Sequence, residues 1–453
     1  MSVNMENFQK FGEAVQQLGR EAPPCDLTDQ ECLARVKDTF ARKLTRSMAI
    51  QLESCVHCGQ CAEACHYYVE TGDPKYTPIR KLDLLKRFYR RELSPLRWLH
   101  RLYTRDITLD DLEEWQELVY DSCTECARCS MVCPMGINIA EMVLVNRQAL
   151  AKANLIPAEL RAMTFEQCEN ASLFGVGPEQ FRQMVKGLEE QGLEVHLDRE
   201  QADILLLTSV VDILLFNDVL AASVKLLNRL GKNWTFSSKG YEAANFGFLS
   251  GVEEVQKIAS ERVIEAAKAC GAKTVIVPEC GHAYPSLRWE AANIAGEPLP
   301  FEVLAISEFL GRELKVGNLK LNPIGHQKRV TFHDPCKVSR HSGAEKDPRD
   351  LLRALDVDFR EAESAGIMNW CCGGGAGVFL LNRAAPLRQA AFRRKMKQFD
   401  ATGADSVVLS CGSCRLNFMV GAQNANWDKG IESLVELVAA NLADGRESAP
   451  QND

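Results

Sequence analysis

Two rhythms of apolar and polar residues divide the chain. Up to about residue 195, apolar side chains return every three or four positions among charged ones, as from Cys32 to Met48 and from Ile139 to Asn154. That period predicts helices. The helical pattern continues from 158 to about 195, with a break at Gly175 to Pro178. From about Glu194 the pattern changes to short apolar runs alternating with helical stretches, which predicts parallel α/β units. Ile204–Leu207, Thr274–Val277, Val330–Phe332 and Ser406–Leu409 are the candidate buried strands. The segment from Gly271 to His282 echoes that from Gly403 to Cys414, so the C-terminal half is expected to hold two similar lobes. The expected division is a helical domain over 1–195, α/β lobes over 196–325 and 326–445, and a frayed tail over 446–453.

Totals sharpen this reading. At 453 residues the chain suffices for two or three domains, and its net charge of −8 argues against nucleic acid as a partner. No run of apolar residues is long enough to span a bilayer; the richest, Ile204 to Ala222, is interrupted by Asp212 and Asp218. Met1 to Arg20 is polar and lacks the apolar core of a secretory signal. A cytoplasmic protein is expected, or one peripheral on the inner face of a membrane. Eighteen cysteines in such a chain point to metal or redox chemistry rather than a disulfide framework.

The spacing of the cysteines is specific. Cys55, Cys58, Cys61 and Cys65 form one C-x2-C-x2-C-x3-C run, and Cys123, Cys126, Cys129 and Cys133, followed by Pro134, form another. Each matches the bacterial ferredoxin ligand run, in which the fourth cysteine crosses to the other cluster. One [4Fe–4S] cubane is therefore assigned to Cys55, Cys58, Cys61 and Cys133, and a second to Cys123, Cys126, Cys129 and Cys65. Two full runs in one chain disfavour zinc. His66 stands where the first run would have proline and reads as a neighbour rather than a ligand; Cys25, Cys32 and Cys168 read as ordinary thiols.

Between the runs lie 57 residues. From Lys81 to Arg105, basic residues alternate with Phe88, Tyr89, Trp98 and Tyr103. This segment could dock an acidic partner or a membrane surface; two solvated amphipathic helices broken at Ser94-Pro95 are the favoured reading.

A third group of cysteines lies in the last third: Cys336, then Cys371-Cys372-Gly373, then Cys411 and Cys414, with gaps of 34 and 37 residues. Five thiols exceed what one cubane takes, and a vicinal disulfide would strain the peptide between Cys371 and Cys372. The spacing resembles the CCG domain of heterodisulfide reductases. That resemblance implies a noncubane [4Fe–4S] cluster on all five cysteines that attacks a substrate disulfide. A zinc site or inert structural thiols is the alternative.

The first lobe retains only Cys280 of such a set. Ser209-Val210-Val211 stands near the place of the first cysteine, Asn245-Phe246-Gly247 near Cys-Cys-Gly, and Ala283 at that of the last. Glu279-Cys280-Gly281-His282 resembles a segment of CCG proteins with a faded first lobe. Cys280 and His282 then either line the substrate side of the intact site or are a buried thiol and a backbone-bonded histidine. His333 and Asp334 either orient the ligand loop or, for His333, shuttle protons. Arg340 and His341 either stabilise a thiolate or anionic substrate or lie in a solvated loop. Gly373 to Gly377 is not a phosphate loop, since no Gly-Lys-Ser/Thr follows; these glycines are expected to let backbone approach the cluster.

Taken whole, the chain resembles the D subunit of heterodisulfide reductase and the iron–sulfur subunits of anaerobic glycerol-3-phosphate dehydrogenase and glycolate oxidase. Thr71-Gly72-Asp73-Pro74-Lys75 and the long insertion place it nearest DsrK-type subunits of sulfur-metabolising complexes. The resemblance implies an oxidoreductase subunit in which two cubanes feed a noncubane cluster for disulfide/thiol chemistry. Cys371, Cys372, Cys280, His282 and His333 are its candidate catalytic residues. Implied partners are other redox subunits, a membrane quinone-reactive subunit or a flavoprotein, with a sulfur-carrier protein as a candidate substrate. The rival reading is an electron relay from a flavin dehydrogenase of glycolate, lactate or glycerol-3-phosphate type to quinone. A sensor or scaffold role is weaker, because sensing does not need three clusters.

Overall fold

The computed structural model describes residues 27–443, together with residues 12, 13 and 17. Cys25, most of the stretch read for a signal, and the tail over 446–453 lie outside the described residues.

The N-terminal third is helical. Helix Asp29–Lys43 starts at a capping box, with Thr28 and Glu31 satisfying each other's backbone N–H groups. Leu44 leaves the helical conformation and Thr45 caps a new helix, Arg46–Ser54, so the Cys32–Met48 periodicity is divided between two elements. Helix Ile139–Lys152, capped by Asn138, packs beside the first, with Val36, Phe40, Met142 and Val143 buried. Helices Ala158–Asn170 and Pro178–Glu190 flank the expected break.

Two four-stranded sheets follow. In the first, β1 (Ile204–Leu206), β2 (Trp234–Thr235), β3 (Thr274–Val277) and β4 (Glu302–Ala305) lie in the order β2-β1-β3-β4, all parallel. In the second, β5 (Arg329–His333), β6 (Asp358–Phe359), β7 (Ser406–Leu409) and β8 (Gly430–Ser433) take the equivalent order β6-β5-β7-β8. Both are covered by helices, as all-parallel sheets must be. The echoing segments contain β3 and β7, which hold the same interior place in their sheets.

Such sheets place ligands beyond the C-terminal ends of the strands, where the strand order reverses. That place lies between β5 and β7 in the second sheet, and there Cys336 and Cys411 directly follow the strands. In the first sheet it lies between β1 and β3, followed by Ser209 and Cys280. The two crevices face each other: Gly412 N–H donates to the Glu279 carbonyl at 2.5 Å. One apolar core runs from Val36 and Phe40 through Leu150 and Leu220 to Val408 and Val438, so helical region and lobes share an interior. No helix among the described residues is long and apolar enough to cross a membrane.

Candidate iron–sulfur centres and the cavity between the lobes

The two ferredoxin-type runs adopt matching backbones. His57 and Glu125, and then Gly59 and Ala127, have positive φ at equivalent places, curling each loop back on itself before a one-turn helix. Cys55, Cys58, Cys61 and Cys133 line one cavity of about 110 Å³. Cys65, Cys123, Cys126 and Cys129 line a second, of about 30 Å³. Each run thus lends its last cysteine to the other's cavity. Glu125 N–H points at Cys123 Sγ at 3.4 Å, the backbone donor arrangement that suits a cluster thiolate.

All five cysteines of the third group are buried. Cys336 Sγ stands 3.9 Å from Cys371 Sγ, and Cys372, Cys414 and His333 bring ligand atoms within 4.8 Å of one another. Gly373 and Gly374 N–H groups reach the sulfurs of Cys371 and Cys372 at 3.4 and 3.5 Å. Cys411 caps helix Gly412–Ala425, whose N-terminal dipole favours a thiolate. Gly373 has a φ of +96°, and a Cβ there would come within 2.4 Å of Ala391 Cβ. Its lack of a side chain therefore serves packing on helix Ala385–Asp400 as well as approach to sulfur.

Around this group the polar residues divide by role. Asp334 accepts a paired bond from Arg349 at 2.8 and 2.9 Å and a third from Gly366 N–H, so its carboxylate orients the loop. His333 turns a ring nitrogen toward Cys372 and Cys414 and packs on Phe418; burial lowers its pKa. Arg340 is not in a solvated loop. Its guanidinium is taken up by the Cys126 carbonyl at 2.9 Å and by Asn369. Beside it, burial holds His341 down at about 4.

The second and third cysteine groups touch. A ring nitrogen of His66, Cys126 Sγ and Cys371 Sγ lie within 4.8 Å of one another. Thr124 Oγ1 is 3.3 Å from Cys371 Sγ, and the buried Tyr67 hydroxyl donates to the Gly373 carbonyl at 2.9 Å. On its other side the third group adjoins an apolar cavity of about 60 Å³ between the lobes, bounded by Ser209, Phe246, Cys280 and His282 from one and by Gly374 and Leu416 from the other. Cys280 Sγ is 3.8 Å from His282 Nδ1, while His282 Nε2 has no partner. Burial holds His282 at about 4, a neutral imidazole, and pushes the Cys280 thiol up. A Cβ on Gly281 would lie 3.1 Å from Cys411 Sγ, so glycine lets this loop close on the cysteines.

The donor chemistry fits iron–sulfur clusters: the described cysteines are all free thiols, and thirteen of them converge in groups of four, four and five. Residues 51–137 match the family described as a 4Fe-4S dicluster domain, and residues 330–419 match the CCG cysteine-rich domain. The D subunit of the dihydromethanophenazine:CoB–CoM heterodisulfide reductase of Methanosarcina mazei is 29% identical over 411 residues, covering 88% of this chain and 96% of that one. This chain is similar to the heterodisulfide reductase D subunit along most of its length. The Hdr-like menaquinol oxidoreductase iron–sulfur subunit 2 of Archaeoglobus fulgidus is 27% identical, over 76% of this chain and 70% of that one. The EtfAB:quinone oxidoreductase of Syntrophomonas wolfei is also 27% identical; the match covers 81% of this chain and 54% of that protein.

The chain also uses residues that the sequence pattern does not single out. Arg147, wholly buried, donates five hydrogen bonds to the carbonyls of Val119, Cys123, Leu249 and Ala376, joining the second cysteine group to both lobes. Arg128 donates to Ala64 and Met368 and lies 3.5 Å over the Trp370 ring. The available signal is that Arg147 falls four positions after Val143 and three before Leu150, on the apolar face of the stretch Ile139–Asn154, which invites a search for partners.

Proposed function

We propose that the chain is the electron-transfer subunit of a heterodisulfide-reductase-like complex and performs disulfide/thiol chemistry at its CCG site. In this reading one [4Fe–4S] cubane is held by Cys55, Cys58, Cys61 and Cys133, and a second by Cys65, Cys123, Cys126 and Cys129. A noncubane cluster is held by Cys336, Cys371, Cys372, Cys411 and Cys414. The lobe over 196–325 is a CCG lobe that has lost its own ligand set. The two cubanes so held would carry electrons singly, and the noncubane cluster would supply iron that can bind substrate sulfur.

The observation that carries the proposal is the contact of Cys126 with Cys371 beside His66. It joins the ligand sets in a line, from the exposed Cys58 to a buried group that opens on the cavity between the lobes. The chain's own residues do the rest. Apolar walls exclude water, neutral His282 and Cys280 face the entering sulfur, and Gly281 keeps the loop close. Reducing RSSR′ to RSH and R′SH consumes two electrons, from a partner redox subunit, and two protons.

The reading predicts about 12 irons per chain, at four per cluster; about eight would remove the third cluster. With a candidate thiol, oxidation should give a paramagnetic signal that Cys372→Ala abolishes while the two N-terminal clusters still reduce. The likeness to EtfAB:quinone oxidoreductase supports relay to quinone as the second reading. It wins if Cys372→Ala spares thiol chemistry and stops quinone reduction.

A further inference from the structure

The segment between the two ferredoxin-type runs holds a helix built inside out. Helix Arg97–Tyr103 buries none of its residues, although its sequence is rich in large apolar side chains. Leu96 is 52% exposed, Trp98 67%, Leu102 78% and Tyr103 66%. A surface helix of a globular protein turns its apolar stripe inward. Here the inward contacts are polar. His100 Nδ1 meets the Arg90 carbonyl at 2.9 Å, Arg101 Nε donates to the Arg91 carbonyl at 3.2 Å, and Arg91 donates to the Thr104 carbonyl at 2.6 Å. Leu96, Leu99 and Tyr103 fall on one line of the helix, and Trp98 and Leu102 on the next, so more than half its circumference is apolar and faces outward.

The surrounding sequence is rich in cations, of which Arg87, Arg90, Arg91, Arg101 and Arg105 are ion-paired. From Lys86 to Arg105 there are seven Lys or Arg and one acid, Glu92, in a chain whose net charge is −8. Neighbouring carboxylates pair with several of these cations, whereas Arg97 is exposed at the start of the helix.

We infer that the protrusion formed by residues 93–105 docks into the headgroup zone of an anionic lipid bilayer. Its broad outward stripe combines Trp98 and Tyr103 with Leu96 and Leu102 and has the exposed Arg97 at its edge, the composition of a segment that lies at a lipid headgroup boundary. Trp and Tyr favour the lipid–water boundary, leucines enter the acyl edge, and the basic flank selects anionic headgroups. The docking face adjoins the first cysteine group. Arg90 pairs with Glu53 at 3.1 Å on helix Arg46–Ser54, which leads into Cys55, and Ile50, one turn earlier, is exposed as well. Docking would therefore hold the first cluster site toward the bilayer. The inference is independent of what reaction the CCG site performs.

The test is flotation of the full-length, cluster-loaded protein with phosphatidylcholine vesicles, with and without phosphatidylglycerol. Wild type is expected to float with the anionic vesicles, less at high salt, and to stay behind with phosphatidylcholine alone. Trp98→Ser with Leu102→Ser alters only exposed side chains and should cut the bound fraction about tenfold, while Arg97→Glu should weaken it further. The cluster absorption of each variant, unchanged from wild type, shows that the fold is intact. Wild type that does not float, or floats as well without Trp98 and Leu102, overturns the proposal. Failure to float while the same variants abolish binding to a purified partner subunit would assign the face to a protein instead.

Discussion

Arg147 shows what one buried cation costs and secures. With no exposed surface, it answers four backbone carbonyls from three parts of the molecule and lies 3.5 Å from Glu125. Removing one partner of a buried charge leaves the other groups desolvated and unpaired. Arg147→Met is therefore expected to cost ~3–5 kcal/mol, measured by denaturant unfolding of the cluster-loaded protein. Arg147→Lys should recover only part of it, because an ammonium lacks the planar fork; a loss below about 1 kcal/mol for Met would show the network to be dispensable. At this scale the sequence is partly legible. Cysteine spacing brings thirteen thiols to notice because ligand spacing is local. The roles of Arg147, Tyr67 and Arg340 are hidden because their partners, at Ala376, Gly373 and Cys126, are more than 200 residues away.

At the scale of elements, the two ferredoxin-type runs cannot be treated as separate cassettes. Because Cys133 lines the cavity of Cys55, Cys58 and Cys61, Cys133→Ser should disturb the cluster built on the first run and spare that of its own run. Electron paramagnetic resonance of the reduced protein distinguishes the two, and loss of the second cluster alone would refute the crossing. The four strands expected from apolar runs, β1, β3, β5 and β7, form the interior of the sheets, where both faces are covered and the hydrophobic signal is strongest. The strands at the sheet edges are not legible in the same way. β2 and β6 have two residues each, and β8 carries Glu432, so no apolar run announces them; β4 does carry one, Val303 to Ala305, but it runs on into the apolar start of the next helix at Ile306 and does not stand out as a strand. The pattern over helix Arg97–Tyr103 predicts a solvated, amphipathic element; its apolar side proves to face outward, an inversion that periodicity cannot detect, since it gives a stripe and not its direction.

At the scale of the whole molecule, stability should carry the imprint of acids buried in the first lobe. Burial holds Glu242 up at about 7 and, beside it, Asp212 at about 7. Glu242 accepts Ser172 Oγ at 2.6 Å and Ala244 N–H at 2.8 Å. A carboxyl raised by folding keeps its proton in the native state while the unfolded chain releases it. Stability thus falls as pH climbs from the ordinary carboxyl range to about 7, and levels beyond. Glu242→Gln should remove that loss. Its melting advantage over wild type is expected to widen between about pH 5 and about 7, by no more than ~3 kcal/mol, and then stay constant; a difference flat across that interval would sink the assignment. The shared core and the long reach of Arg147 have a consequence for how such a protein comes into being. When a ribosome makes Arg147, Ala376 is still 229 residues away, so for about half of the chain's synthesis the nascent helical region holds a cation whose last partner does not yet exist. The buried join between the second cysteine group and the second sheet therefore closes only after residue 376 has been made.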